Sequence, residues 1–143
     1  MDINMKEMVQ QLELHEELRL KPYYDTVDKL TSGIGRNVED TGISKAEASC
    51  MLEDDLIRII AELDEQMPWW RELTENRRRI LVDMAFNLGT FGLSQFRDML
   101  AATKVGDFDG ASKEMLDSKW AKQVGSRAER LAKAMKTDQI DLA

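Results

Sequence analysis

The sequence is short of the residues that staple small folds or hold metals. Its 143 residues include one cysteine and one histidine, so no internal disulfide can form and a reducing compartment is suited. A single imidazole with no cysteine pair offers no zinc set, and no metal or organic cofactor is expected. Cys50, beside Met51 and Leu52, reads as core packing, and His15 as a neighbour of Glu16. No apolar run approaches the ~20 residues of a membrane helix. The start, Met1-Asp2-Ile3-Asn4-Met5-Lys6-Glu7, lacks the apolar stretch of a signal peptide. Neither membrane insertion nor self-directed export is therefore expected. Basic residues are also in deficit, 20 against 27 acidic ones for a net charge of −7, which argues against nucleic acid as a main partner. The run Arg77-Arg78-Arg79 opens an apolar-periodic segment with Ile80, Leu81, Met84, Ala85 and Leu88, and is read as the wet face of a helix. A second basic run comprises Lys119, Lys122, Arg127, Arg130, Lys133 and Lys136.

What is present is mostly helical pattern. Ile3, Met5, Met8, Val9 and Leu12 recur at helical spacing, with Asp2 placed to cap, so a first helix should run to about Glu16. Leu18 to Gly35 alternates and contains Pro22, paired tyrosines and two glycines, which reads as a small antiparallel hairpin or three-stranded sheet. Ser44-Lys45-Ala46-Glu47 is a capping box ahead of a long helix carrying Ala48, Met51, Leu52, Asp55, Leu56, Ile59, Ile60 and Leu63. Pro68 breaks the chain. Helices are then expected over Glu75 to Leu88, Leu93 to Thr103, Asp107 to Ser118 and Ser126 to Met135, with loops at Gly89 to Gly92 and Val105-Gly106. The fold class is α+β, mainly α. Trp69, Trp70 and Trp120 offer faces for sugar rings, but burial is the default for tryptophan.

Glu16, Asp25 and Thr31 carry the chemical signal. A glutamate at a helix end, an aspartate and a threonine on the following hairpin, and then Ser32-Gly33-Ile34-Gly35 suit a glycosidase. Cleaving a glycosidic bond commonly uses one carboxyl group to protonate the leaving oxygen and another to activate water or attack the sugar. Gly33 and Gly35 allow backbone to approach a sugar closely, or simply let a strand twist.

The register Leu18-Arg19-Leu20-Lys21, Tyr24, Asp25-Thr26 and Gly33-Ile34-Gly35 resembles the T-even-phage-type lysozymes, the phage endolysin muramidases. Asn76-Arg77-Arg78, Phe86-Asn87-Leu88-Gly89, Gly92, Phe96, Ser118-Lys119-Trp120 and Ser126-Arg127-Ala128-Glu129-Arg130 extend the likeness over nearly the whole chain. The resemblance implies a single lysozyme-like domain over 1–143. It would have a small N-terminal lobe with the sheet at about 13–55, a long connecting helix, and a helical lobe at about 65–143 that also takes in the first helix. It further implies Glu16 as general acid, Asp25 activating water and Thr31 positioning that water, in an inverting hydrolysis with carboxyl groups roughly 6.5–9.5 Å apart. Arg127 would reach the catalytic glutamate, and Asn87 and Phe91 would lie along the bound chain. The implied substrate is the β-1,4 bond between N-acetylmuramic acid and N-acetylglucosamine in bacterial peptidoglycan. Implied too are a monomer held in the host cytoplasm, release dependent on a holin, and lysis of the host from the wall layer. A lytic transglycosylase and a non-catalytic wall binder are the rivals. Three departures stand out: Val27-Asp28-Lys29 replaces the family's usual turn glycine, Arg36 replaces its histidine and could pair with Asp55, and the stretch from Arg36 to Gly42 is short.

Overall fold

The computed structural model describes residues 2–142, which are mainly helical with one small antiparallel sheet. The chain forms two compact units, residues 1–50 and 51–143.

In the first unit α1 spans Met5–His15. Its cap is Asn4 rather than the expected Asp2: the Asn4 side-chain oxygen accepts from the Glu7 N–H at 3.1 Å. Asn4 directly precedes the first helical residue, the place from which a short polar side chain reaches the free N–H groups of the first turn. Glu16 closes the helix as C-cap, its N–H donating to the Leu12 carbonyl at 2.7 Å. Three strands follow, β1 (Leu18–Tyr24), β2 (Leu30–Ile34) and β3 (Arg36–Asn37), side by side in that order. The β1–β2 register slips between Arg19, opposite Gly33, and Tyr23, opposite Thr31. Pro22 lies inside the slip, and a residue with no N–H to offer a ladder belongs at such a bulge. A one-turn helix α2 (Val38–Thr41) is capped by Asn37. The short Arg36 to Gly42 stretch is thus filled by a single turn.

Helix α3 (Lys45–Gln66) starts at the expected capping box. The Glu47 N–H donates to Ser44 Oγ at 3.1 Å, and the Ser44 N–H donates to Glu47 Oε1 at 2.8 Å. The boundary between the units falls within this helix, making it the connecting element. Its buried positions begin at Ile59 and continue at Leu63. Cys50, expected as packing, precedes that stripe and is exposed.

The second unit continues through a 3₁₀ turn (Pro68–Glu72), α4 (Glu75–Ser94), α5 (Arg97–Lys104), α6 (Phe108–Leu116), α7 (Lys119–Val124) and α8 (Ser126–Thr137). Its core gathers Ile59, Leu63, Ile80, Leu81 and Leu93 with Met67, Met84, Met99, Met115 and Met135. Each fully buried Leu or Met contributes about 1.5–3 kcal/mol through the water it sheds, and the unbranched methionines fill gaps between helices of unequal length. Trp70 and Trp120 are each 3% exposed and belong to this core. The anticipated loop at Gly89 to Gly92 is a kink instead, with Gly89 at φ 78°, ψ 156° inside an otherwise helical run to Ser94. Helix α7 was not anticipated, and Leu93 belongs to α4 rather than to the next helix.

The arginine run is not uniformly wet. Arg77 is 9% exposed, its Nε donates to the Met135 carbonyl at 2.9 Å, and its guanidinium lies 3.4 Å from the Phe108 ring centre. It caps the C-terminal end of α8, where carbonyls lack helical partners and attract a cation.

Candidate active site

Glu16 stands where α1 hands over to β1, so the helix C-terminus fixes its backbone. Its carboxylate lies against the open face of Gly35. A methyl group added there would meet Glu16 Oε2 at 2.7 Å and the carboxyl carbon at 2.8 Å. Gly35 has φ +68°, so the glycine serves both the backbone and the carboxylate beside it. This is a close approach of backbone to an acid, not to a sugar.

Asp25 ends β1 and organises the turn. Its Oδ1 accepts from the Val27 N–H at 2.9 Å and the Lys29 N–H at 2.8 Å. Its own N–H donates to the Lys29 carbonyl at 2.9 Å, and its carbonyl accepts from the Asp28 N–H at 3.0 Å. Asp28 takes φ 64°, the left-handed conformation that asparagine and aspartate tolerate better than other side chains. The missing turn glycine is therefore met by an aspartate in the conformation a glycine favours. With Oδ1 occupied by two N–H donors, Oδ2 remains open as a proton acceptor.

Thr31 sits on the central strand β2, 3% exposed, and its Oγ1 donates to the Lys29 carbonyl at 2.9 Å. With its hydrogen committed, the hydroxyl offers lone pairs, so it can accept from a water but not donate to one. The Lys29 backbone therefore touches both Asp25 and Thr31: its N–H binds the carboxylate and its carbonyl takes the hydroxyl. Gly33 lies opposite Arg19 with φ +70°, and nothing comes within 4 Å of an added Cβ. Arg36 does not pair with Asp55. It binds Glu47, with Nη1 at 2.7 Å from Oε1, and the Gly42 carbonyl at 3.2 Å, while Asp55 pairs with Arg58. The capping-box carboxylate is nearer in sequence and already oriented by α3. Glu47 is held down to about 2, first by the Arg36 hydrogen bond and then by Ser44.

In the second unit Asn87 is exposed on α4, and its Oδ1 accepts from the Trp120 Nε1–H at 2.8 Å. That bond orients the amide and leaves Nδ2 as a free donor. Phe91 is 76% exposed beyond the Gly89 kink. Arg127 is engaged by Asp83, Nε at 2.9 Å and Nη2 at 2.6 Å from Oδ1. Two supports escaped the sequence reading. Thr90 Oγ1 donates to Glu62 Oε2 at 2.6 Å, pinning the turn after Gly89 to α3. Lys29 Nζ reaches Glu39 and Asp40 of α2 at 3.4 and 3.2 Å. Among the described residues, no three His, Cys, Asp or Glu side chains gather as a metal set requires.

Known proteins resemble this chain along most of its length. The phage lysozyme family model matches residues 13–137. The pre-baseplate central spike protein Gp5 of Enterobacteria phage T4 is 31% identical across 94% of this chain, which spans 28% of that protein's length. An endolysin of Acyrthosiphon pisum secondary endosymbiont phage 1 is 31% identical across 76% of this chain and 73% of its own length. The match takes in the helix end bearing Glu16, the whole hairpin and the helical unit through α8, and on that extent the chain belongs to the phage lysozyme family.

Proposed function

We propose that this chain, acting as one lysozyme-like domain over 1–143, is a glycosidase of bacterial peptidoglycan that cleaves the β-1,4 bond between N-acetylmuramic acid and N-acetylglucosamine with inversion. The observation that carries the reading is the Lys29 backbone, which holds the Asp25 carboxylate by its N–H and the Thr31 hydroxyl by its carbonyl. Glu16 protonates the leaving oxygen. Asp25 takes the proton of the attacking water through Oδ2, and Thr31 orients that water by accepting its other hydrogen. Asn87 donates from Nδ2 to a carbonyl of the bound chain, Gly33 leaves backbone open to it, and Phe91 lines its path. Arg127, engaged by Asp83, completes the proposed set.

The test uses purified peptidoglycan with the native protein and Glu16→Gln. Reducing muramic ends from the native protein alone, appearing first as the α-anomer by NMR, support the reading. Anhydro ends would move it to a transglycosylase, and wall binding without new ends to a non-catalytic binder. As an endolysin, the protein would be a monomer that waits in the host cytoplasm for a holin to open the membrane, and would then lyse the host. The match to a spike protein along 94% of the chain favours a second setting, the same chemistry carried on a virus particle. Mass spectrometry of purified virions separates the two.

A further inference from the structure

The Lys29 backbone bonds both Asp25 and Thr31, and its side chain reaches a third element. The ammonium donates to Asp40 Oδ1 at 3.2 Å and Glu39 Oε2 at 3.4 Å, while the next residue's N–H, that of Leu30, donates to Glu39 Oε1 at 3.3 Å. Asp40 is in turn fixed. The Asp40 N–H donates to Asn37 Oδ1 at 3.1 Å and Asn37 Nδ2 donates to Asp40 Oδ2 at 3.0 Å, so this carboxylate is oriented by its own helical turn. The Lys29 pKa is raised, chiefly by Asp40 and then by Glu39, so the ammonium stays charged.

We propose that Lys29, clamped by Glu39 and Asp40, is a positioning residue for the hydrolytic water: the clamp fixes the Lys29 backbone, and the N–H and carbonyl of that residue set Asp25 and Thr31 together. The inference rests on the roles given above to Asp25 and Thr31. Each ion pair is half-exposed and individually weak. Its value lies in direction, because one ammonium answered by two carboxylates on a single helical turn can occupy only a narrow range of positions. The clamp also engages the ammonium with α2 rather than with Asp25. A neutral side chain of the same length at position 29 would keep every backbone bond possible and remove only the constraint.

The experiment compares native protein, Lys29→Met, Lys29→Arg, Glu39→Gln with Asp40→Asn, and Asp25→Asn on a soluble muropeptide of defined length. Lys29→Met and the double variant should lose about tenfold in kcat with KM unchanged, since misplacement of less than ~1 Å is enough. Lys29→Arg should recover most of it. In amide NMR, the Val27 and Lys29 N–H signals, which report the bonds to Asp25 Oδ1, should shift in Lys29→Met and return in Lys29→Arg. Unchanged kcat and unchanged amide signals in Lys29→Met would overturn the proposal. So would equal losses in Lys29→Met and Lys29→Arg. If Asp25→Asn keeps native turnover, the role of Asp25 fails, while the amide shifts still report whether the clamp sets the turn.

Discussion

Replacing Gly35 by alanine separates the cost of a backbone conformation from the cost of moving the proposed catalytic acid. The new methyl group meets two obstacles. The first is φ +68°, a left-handed conformation that costs an alanine about 1–2 kcal/mol; for a chain of this size that lowers the melting temperature by roughly 2–8 °C. The second is the Glu16 carboxylate, with Oε2 at 2.7 Å, the carboxyl carbon at 2.8 Å and Cγ at 3.1 Å from the added carbon. Ordinary contact needs about 3.5 Å, so the carboxylate must retreat by roughly 0.8 Å. It is the free end of a flexible side chain, so it yields, and the collision adds little to the loss of stability. Catalysis is less forgiving, because a misplacement of about 1 Å can cost about a hundredfold.

The expected outcome is a modest thermal shift with kcat/KM lower by about 10- to 100-fold. Gly106→Ala supplies the control: its φ is +82° and nothing lies within 4 Å of the added carbon, so it carries the backbone cost alone. Melting curves and the release of reducing ends from peptidoglycan, measured on both variants, decide the matter. If Gly35→Ala loses no more activity than Gly106→Ala, the carboxylate beside Gly35 is not the working acid.

Thr31→Val should keep the fold, since Lys29 O still receives the Asp25 N–H, yet lose most turnover while Thr31→Ser retains it; circular dichroism alongside kcat checks both. Trp120→Phe removes the 2.8 Å bond to Asn87 Oδ1, so KM should rise with kcat little changed, and stability should fall by about 0.5–1.5 kcal/mol for the bond, read by denaturant unfolding. Gly89→Ala forces a side chain into φ 78°, ψ 156° and should destabilise by about 1–3 kcal/mol, visible as an earlier urea midpoint. Glu47 is lowered from the usual 4.5 to about 2 by Arg36. Its contribution is therefore present above pH 4.5 and lost as pH falls toward 2, so Glu47→Gln should flatten the acid limb of stability over that window; parallel slopes in native and variant would refute this.

The sequence offered a candidate chemistry because the proposed roles depend on residue type. Glu16, Asp25 and Thr31 have few substitutes in their proposed roles, and the capping box at Ser44 and Glu47 depends on a local hydrogen-bond pattern that reads directly. Helix positions followed from apolar spacing wherever the helix has a single buried stripe, as α4 does at Ile80, Leu81, Met84 and Ala85. The reading failed where the partner is distant in sequence or where alternatives are equally polar. Arg77 looked like surface because its partners, Met135 and Phe108, lie far along the chain. Arg36 had several acids within reach, and only the fold decides for Glu47 over Asp55. Asp2 and Asn4 are both good caps, and where the first helical residue falls decides between them. The kink at Gly89 resembles a loop because glycine marks both.

The hairpin also shows why its supports are hard to read. Of residues 2–50, the buried side chain is that of Thr31, so the strands bearing Asp25 and Thr31 have no apolar core of their own to fix them. A three-stranded sheet this small is marginal without such a core. Its geometry must come from bonds with direction, and the turn is held four ways: by the Asp25 carboxylate, by the left-handed Asp28, by the Thr31 hydroxyl and by the Lys29 clamp on α2. Such bonds leave no periodic trace, because a lysine ten residues before a glutamate resembles any other pair of surface charges. They also divide the chain by mechanism. Salt and pH act on directed charge, so they should loosen the hairpin and its chemistry before they disturb the methionine-rich helical core, whose stability comes from buried apolar surface.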